Sequence, residues 1–311
     1  MSAGSTRLAD AVTAEEVEAV LAELCPTAVV SSVRAGPHSY SNRLWLAGTD
    51  EGELLVRVPG RTTDPEYVGA TLVATDLAAD AGIPVVRFRA FSSSTGLGLP
   101  VVVQEYRPGE SATAALRGER SDLARVAGVL GGWVGALHGV RRAGFGPVTS
   151  AGDARSWAEV ADGQVRGALS RLPGEMLPAG RAPVEAAFGR VLDELGSAGE
   201  PSLAHGDLYL DNVLVDGGRP TALLDFEHAG FRDRFADFGK LTELLFEWWP
   251  GSEEPFLEAY RERFPAEASD AVRRRLGTGL YALAQLEYFA RWQPDLVQFY
   301  RDRLGEWVAG R

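Results

Sequence analysis

A histidine-led loop, His205-Gly206-Asp207-Leu208-Tyr209-Leu210-Asp211-Asn212, is closely followed by Leu223-Leu224-Asp225-Phe226-Glu227. A carboxylate, a carboxamide and a second carboxylate therefore fall in that order on one short span. Phosphoryl transfer from ATP uses this set: a carboxylate to orient the attacking hydroxyl, and a carboxamide and a carboxylate to hold Mg²⁺ against the phosphates. Asp207 fits the first role, Asn212 and Asp225 the second. Taken singly, His-Gly-Asp is an ordinary turn, with Gly for backbone freedom and Asp as a local cap. Jointly the residues say more. Asp211-Asn212 interrupt an apolar run, Leu208 to Leu210 and Val213 to Val215, where a structural strand has little use for them.

The flanking residues predict how these groups are held. Val213 to Val215, the Asp216-Gly217-Gly218 turn and Thr221 to Leu224 read as a hairpin. Asn212 then precedes one strand and Asp225 follows its partner, so both lie at one end of the ribbon. His205 reads as a hydrogen-bonding organiser of the loop rather than a base.

The stretches HGDLYLDNVLVD and ALLDFEHAGFRDRFADFGKL closely resemble the aminoglycoside phosphotransferase and choline kinase superfamily of small-molecule kinases, which includes macrolide phosphotransferases. Protein kinases carry His-Arg-Asp and Asp-Phe-Gly at these places. Here Gly206 replaces the Arg, and Phe226-Glu227 follow the second Asp, as in the small-molecule family. The resemblance is specific over about 200–241 and weaker over about 30–140. It implies an α+β, bilobal protein-kinase-like fold. A small antiparallel-sheet N-lobe would span 1–107, and a mainly helical C-lobe with the acceptor site 108–311. Mg²⁺ as cofactor and ATP or GTP as co-substrate follow from the same resemblance.

Lys240 is the only lysine of the chain. A Walker A loop, which needs Gly-Lys-Ser/Thr, is thereby excluded. The third-strand lysine that reaches the α- and β-phosphates in kinase folds must also be replaced. Arg57, in the alternating strand Glu53 to Pro59, stands in that place, and a planar guanidinium can grip two phosphate oxygens. Before it, Thr13 to Glu16 form a capping box opening a helix to Leu24, and Val29 to Val33 a first strand. The turn Gly36 to Asn42 would cover the phosphates, with Ser39, Tyr40 and Ser41 as donors. A helix over 64–81 matches the family helix whose Glu pairs with the third-strand base. Thr71 occupies that register, and Glu66 and Asp76 miss it. Pro100 to Tyr106 predicts a strand leading into the hinge, where the resemblance places adenine against Glu105, Tyr106 and Arg107.

The remainder reads as helices: Leu123 to Val140, then Leu241 to Trp249, Phe256 to Phe264, Val272 to Trp292 and Leu296 to Val308. Gly128, Gly131, Gly132 and Gly135 weaken the first of these, so packing must hold it. In the resembled family, His138 and Asp237 are structural, Asp237 bracing the catalytic loop. The net charge of −12 argues against a nucleic-acid partner and favours a cationic small-molecule acceptor. Glu243, Glu247, Glu253, Glu254, Glu258 and Glu262 lie where the family builds its acceptor site, although a solvated helical face is the ordinary reading of most of them. Trp248-Trp249 would equally floor an apolar site. The acceptor is therefore expected to be a hydroxylated aminoglycoside. Open alternatives are a macrolide or peptide antibiotic, a metabolic acceptor such as choline, homoserine or a sugar amine, and a nucleotide-binding regulator without turnover. One cysteine, a polar start without a signal-peptide core, and no membrane-length apolar run predict a cytoplasmic monomer or dimer with no membrane partner.

Overall fold

The computed structural model describes residues 12–37, 42–59, 65–152 and 155–310, without the side chains of Pro65 and Tyr67. Ser39, Tyr40 and Ser41 of the expected phosphate turn lie outside the described residues.

Helix α1 (Ala14–Leu24) carries the predicted capping box between Thr13 and Glu16. Its Val17, Val20 and Leu21 lie on a five-stranded antiparallel sheet. The strands are β1 (Val30–Ala35), β2 (Asn42–Thr49), β3 (Gly52–Pro59), β4 (Phe88–Ser92) and β5 (Val101–Glu105), in the order β1-β2-β3-β5-β4. Strands show one face to each side. Leu54, Val56 and Val58 enter the core with Val101 and Val103, which turns Arg57 to the other face.

Helix α2 (Pro65–Asp80) spans the predicted range. Its Ala74 and Ala78, with Ile83 and Val85, are buried in the core of the helical half. The Leu223 N–H donates to Pro84 O at 2.8 Å, stitching the sheet-bearing half to the hairpin of the second half.

The second half is mainly helical: α3 (Ala112–Arg117), α4 (Leu123–His138), α5 (Trp157–Arg171), α6 (Arg181–Leu195), α7 (Phe238–Leu241), α8 (Glu253–Arg261), α9 (Asp270–Trp292) and α10 (Val297–Val308). Packing holds the glycine-rich α4 as expected, most tightly at Gly131. A Cβ on Gly131 would sit 2.2 Å from Phe256 O, so the bare backbone admits α8. One element differs from expectation. The helix predicted from Leu241 begins at Phe238, and from Thr242 to Glu247 it widens into a π-helical turn. Gly239 and Gly277 set α7 hard against α9: a Cβ on Gly239 would lie 2.4 Å from Tyr281 Cβ and 2.7 Å from Gly277 O. Among the described residues no helix is long and apolar enough to cross a membrane.

Candidate active site

The 205–212 loop is suspended from one buried carboxylate. Asp237 accepts from the His205 N–H at 2.8 Å, the Gly206 N–H at 2.7 Å and His138 Nε2 at 3.0 Å. Burial alone would push the Asp237 carboxyl up. The His138 hydrogen bond, the neighbouring imidazoles and the Gly206 amide outweigh it and hold the group below the usual carboxylate range. His205 is fully buried and does the organising predicted for it. Its Nδ1 accepts from the Asp207 N–H at 3.2 Å, so Nε2–H donates to Leu224 O at 2.8 Å. That second bond ties the loop to the residue before Asp225. Gly206, at φ +80°, has His228 O 2.3 Å from where a Cβ would stand, so both backbone and space require glycine.

The hairpin forms as predicted, β6 (Val213–Asp216) against β7 (Arg219–Leu223), with Val213 opposite Leu223. The Leu224 N–H donates to Asn212 O at 2.8 Å. Asn212 and Asp225 are therefore neighbours at one end of the ribbon. Asn212 Nδ2 donates to Asp207 O at 2.9 Å and to Asp207 Oδ2 at 3.2 Å. This leaves its amide oxygen as the atom able to meet a cation.

Asp225 adopts a left-handed conformation, φ 64° and ψ 63°, uncommon for a residue with a side chain. Its Oδ1 is buried with no hydrogen-bond partner among the described residues. Burial first, and then the negative charge of Glu227, raise the Asp225 carboxyl from 3.8 to about 6; Arg57 partly offsets this from across the cleft. A strained carboxylate with an orphaned buried oxygen suits a divalent cation. No group of three or more His, Cys, Asp or Glu side chains gathers for a metal among the described residues. An amide oxygen and a carboxylate oxygen are hard donors of the kind that Mg²⁺ takes, one or two from the protein and the rest from phosphate and water.

Arg57, Asp207, Asn212 and Asp225 all line one cleft of about 680 Å³ between the sheet and the helical half, within the size range of small-molecule sites. Thr71, where the family Glu was expected, lines it too, whereas Glu66 and Asp76 are exposed and do not. Glu105, Tyr106 and Arg107 are not part of the lining, to which β5 contributes Gln104 instead. The Glu105 and Tyr106 amides are used by the sheet, donating to Arg87 O and Glu53 O at 2.9 and 3.0 Å. Arg107 Nη1 donates to Thr221 O at 3.1 Å. The glutamates after the loop are also placed elsewhere. Glu243 is buried against Tyr300 and Arg303, Glu247 pairs with Arg303, and Glu253 with Arg274. Glu254, Glu258 and Glu262 are exposed, and none of the six lines the cleft. Among the described residues its carboxylates are Asp207, Asp211, Asp225 and Glu227.

One contact escaped the sequence reading. Lys240 forms an ion pair with Asp207 Oδ1, and its Nζ stands 4.3 Å from the Tyr209 ring centroid. A second hollow of about 360 Å³ shares Tyr209 and Asp211 with the cleft and is walled by Trp248, Trp249 and Arg117.

The fold and this arrangement define a kinase-like two-lobed protein, and the profile of the phosphotransferase enzyme family matches residues 32–302. The chain belongs to that family. The aminoglycoside 3'-phosphotransferase of Escherichia coli is 35% identical over 63 residues, 20% of this chain and 23% of that enzyme, so the match spans under a quarter of its length. Three solved structures share the fold. A thermostable aminoglycoside phosphotransferase APH(4)-Ia in ternary complex with AMP-PNP and hygromycin B has a TM-score of 0.71 at 19% identity, covering 94% of this chain and 98% of that one. A putative fructosamine-3-kinase from Thermobifida fusca has 0.66 at 21%, covering 94% and 99%. The macrolide 2'-phosphotransferase MphH from Brachybacterium faecium has 0.63 at 20%, covering 96% and 99%.

Proposed function

We propose that this chain transfers the γ-phosphoryl group of ATP or GTP to a hydroxyl of a small molecule. The observation that carries this reading is the convergence of Arg57, Asp207, Asn212 and the orphaned Asp225 oxygen on one cleft. Asp207 accepts a hydrogen bond from the acceptor hydroxyl, points its oxygen at the phosphorus and takes its proton late, since a loose transition state asks little of the nucleophile. Arg57 holds the α- and β-phosphates. The Asn212 amide oxygen and Asp225 would hold Mg²⁺. Bound there, the ion would supply positive charge to offset the charge developing on the phosphates. The base lies along β5, where the Glu105 carbonyl and the Arg107 backbone are the hinge groups we assign to its edge. A nucleotide co-substrate fits a cytoplasmic setting.

For the acceptor we favour an aminoglycoside. Four carboxylates against Arg57 in the cleft support a cationic ligand, and the hygromycin B complex of the structural relative is consistent with it. A second reading has its own observation. The adjoining hollow, with Trp248, Trp249 and Tyr209, suits an acceptor with apolar faces such as a macrolide. Thermal-shift and product assays over aminoglycosides and macrolides, with ATP and with GTP, separate the two. Asp207→Asn should keep nucleotide binding and lose about 10²–10⁴-fold in kcat. Unimpaired turnover in that variant would refute the proposal.

A further inference from the structure

We propose that Lys240 is the positioning residue of Asp207, holding the carboxylate in the one orientation that presents its second oxygen to the acceptor; this rests on the phosphotransfer reading above. Of 31 lysine and arginine residues only one is a lysine, and it is the one in contact with Asp207 Oδ1. The choice of cation has a physical reason. A guanidinium pairs with a carboxylate as a planar fork and engages both oxygens, whereas an ammonium is a compact charge that needs only one. With Lys240 on Oδ1, Oδ2 has among the described residues only the 3.2 Å contact from Asn212 Nδ2 and remains open to a hydroxyl.

The lysine is itself held on several sides. Its Nζ lies 4.3 Å from the Tyr209 ring centroid and its side chain is 16% exposed. It stands three residues after Asp237, about one helical turn, so the two point the same way from α7. Asp237 fixes the backbone of the loop at His205 and Gly206. Lys240 fixes the side chain of the next residue. The glycine between them, Gly239, brings α7 against Tyr281 and Gly277 O, and the π-helical turn begins two residues after Lys240. Such turns concentrate at functional positions because they re-aim side chains within a helix.

Three variants and one labelling measurement test this. Lys240→Met should lower kcat about 10²-fold, the cost of a misplaced catalytic group, with nucleotide KM within about threefold. Lys240→Arg should stay at least about tenfold below wild type in kcat, because the fork covers both oxygens. Lys240→Met turnover near wild type while Asp207→Asn is inactive would overturn the inference and leave the kinase reading intact. A loss confined to nucleotide KM, or full activity in Lys240→Arg, would overturn it as well. Turnover retained in Asp207→Asn would instead sink the parent reading. Because Lys240 carries the only side-chain amine, an amine-acylating reagent followed by peptide mass mapping reports on it without any turnover. Its labelling should be about fivefold faster in Asp207→Asn, where the ion pair is lost. Equal rates in the two proteins would show that the contact does not exist in solution.

Discussion

Replacing Asp225 with asparagine should make the metal-free protein more stable while removing its ability to respond to Mg²⁺-nucleotide. The native carboxyl rises from 3.8 to about 6, burial being the main cause and Glu227 the second. A carboxylate raised on folding opposes folding when ionised. The cost is absent below the unfolded value of 3.8, grows as pH rises towards about 6 and is complete above it. That interval corresponds to about 3 kcal/mol at about 1.4 kcal/mol per pH unit. Asparagine carries no charge to bury and tolerates the left-handed backbone at φ 64° better than most residues. With EDTA present at pH 8, Asp225→Asn should therefore gain about 3 kcal/mol in urea unfolding, or about 5–10 °C in Tm. At about pH 5 the gain should fall to about half, because the wild-type carboxyl is then largely protonated. Added Mg²⁺ and nucleotide should stabilise the wild type and leave the variant behind. No gain at pH 8, or a gain of equal size at both pH values, would refute the argument that charge burial strains this site.

The loop anchor gives the opposite sign. Asp237→Asn keeps the size but offers an N–H₂ group to one of the two loop amides, and breaking this buried network should cost about 3–5 kcal/mol by urea unfolding. A loss under about 1 kcal/mol would mean the loop does not hang from Asp237. Because the Asp237 carboxyl is held low, its contribution is present above the unfolded carboxylate range and is lost as pH falls through the folded value, so the stability gap between wild type and variant should narrow as pH falls. Gly206→Ala meets His228 O at 2.3 Å in a backbone that favours glycine; it should cost about 1–3 kcal/mol and lower kcat by displacing Asp207, and an unchanged melting curve would contradict the geometry.

The groups to which we assign the chemistry were legible because their geometry is local. Asp207, Asn212 and Asp225 sit on a loop and a hairpin whose turn and strand signals lie within the same span, so spacing fixed their relation. Arg57 was readable for a similar reason: strand alternation placed it opposite the core face of β3. Strand β5 was legible in the sequence, but which of its residues would line the cleft was not. Parity along β5 turns Gln104 into the cleft, while the amides of Glu105 and Tyr106 serve the sheet, and a shift of one residue in a strand exchanges faces. The acidic run after the loop could not be judged from composition, since its partners Arg303 and Arg274 arrive from α10 and α9.

By itself, then, the chain determined its family resemblance, its mixed architecture and the order of its chemical groups, all of which depend on residues close in sequence. Tertiary structure alone decided what surrounds them. The approach of α7 to α9 at Gly239 brings Lys240 to Asp207, the closure of two lobes sets Arg57 opposite Asp225, and burial orphans the Asp225 oxygen. Each of these depends on a meeting of segments far apart in sequence, where exclusion of water changes the energy of the charged groups, and no local spacing encodes it.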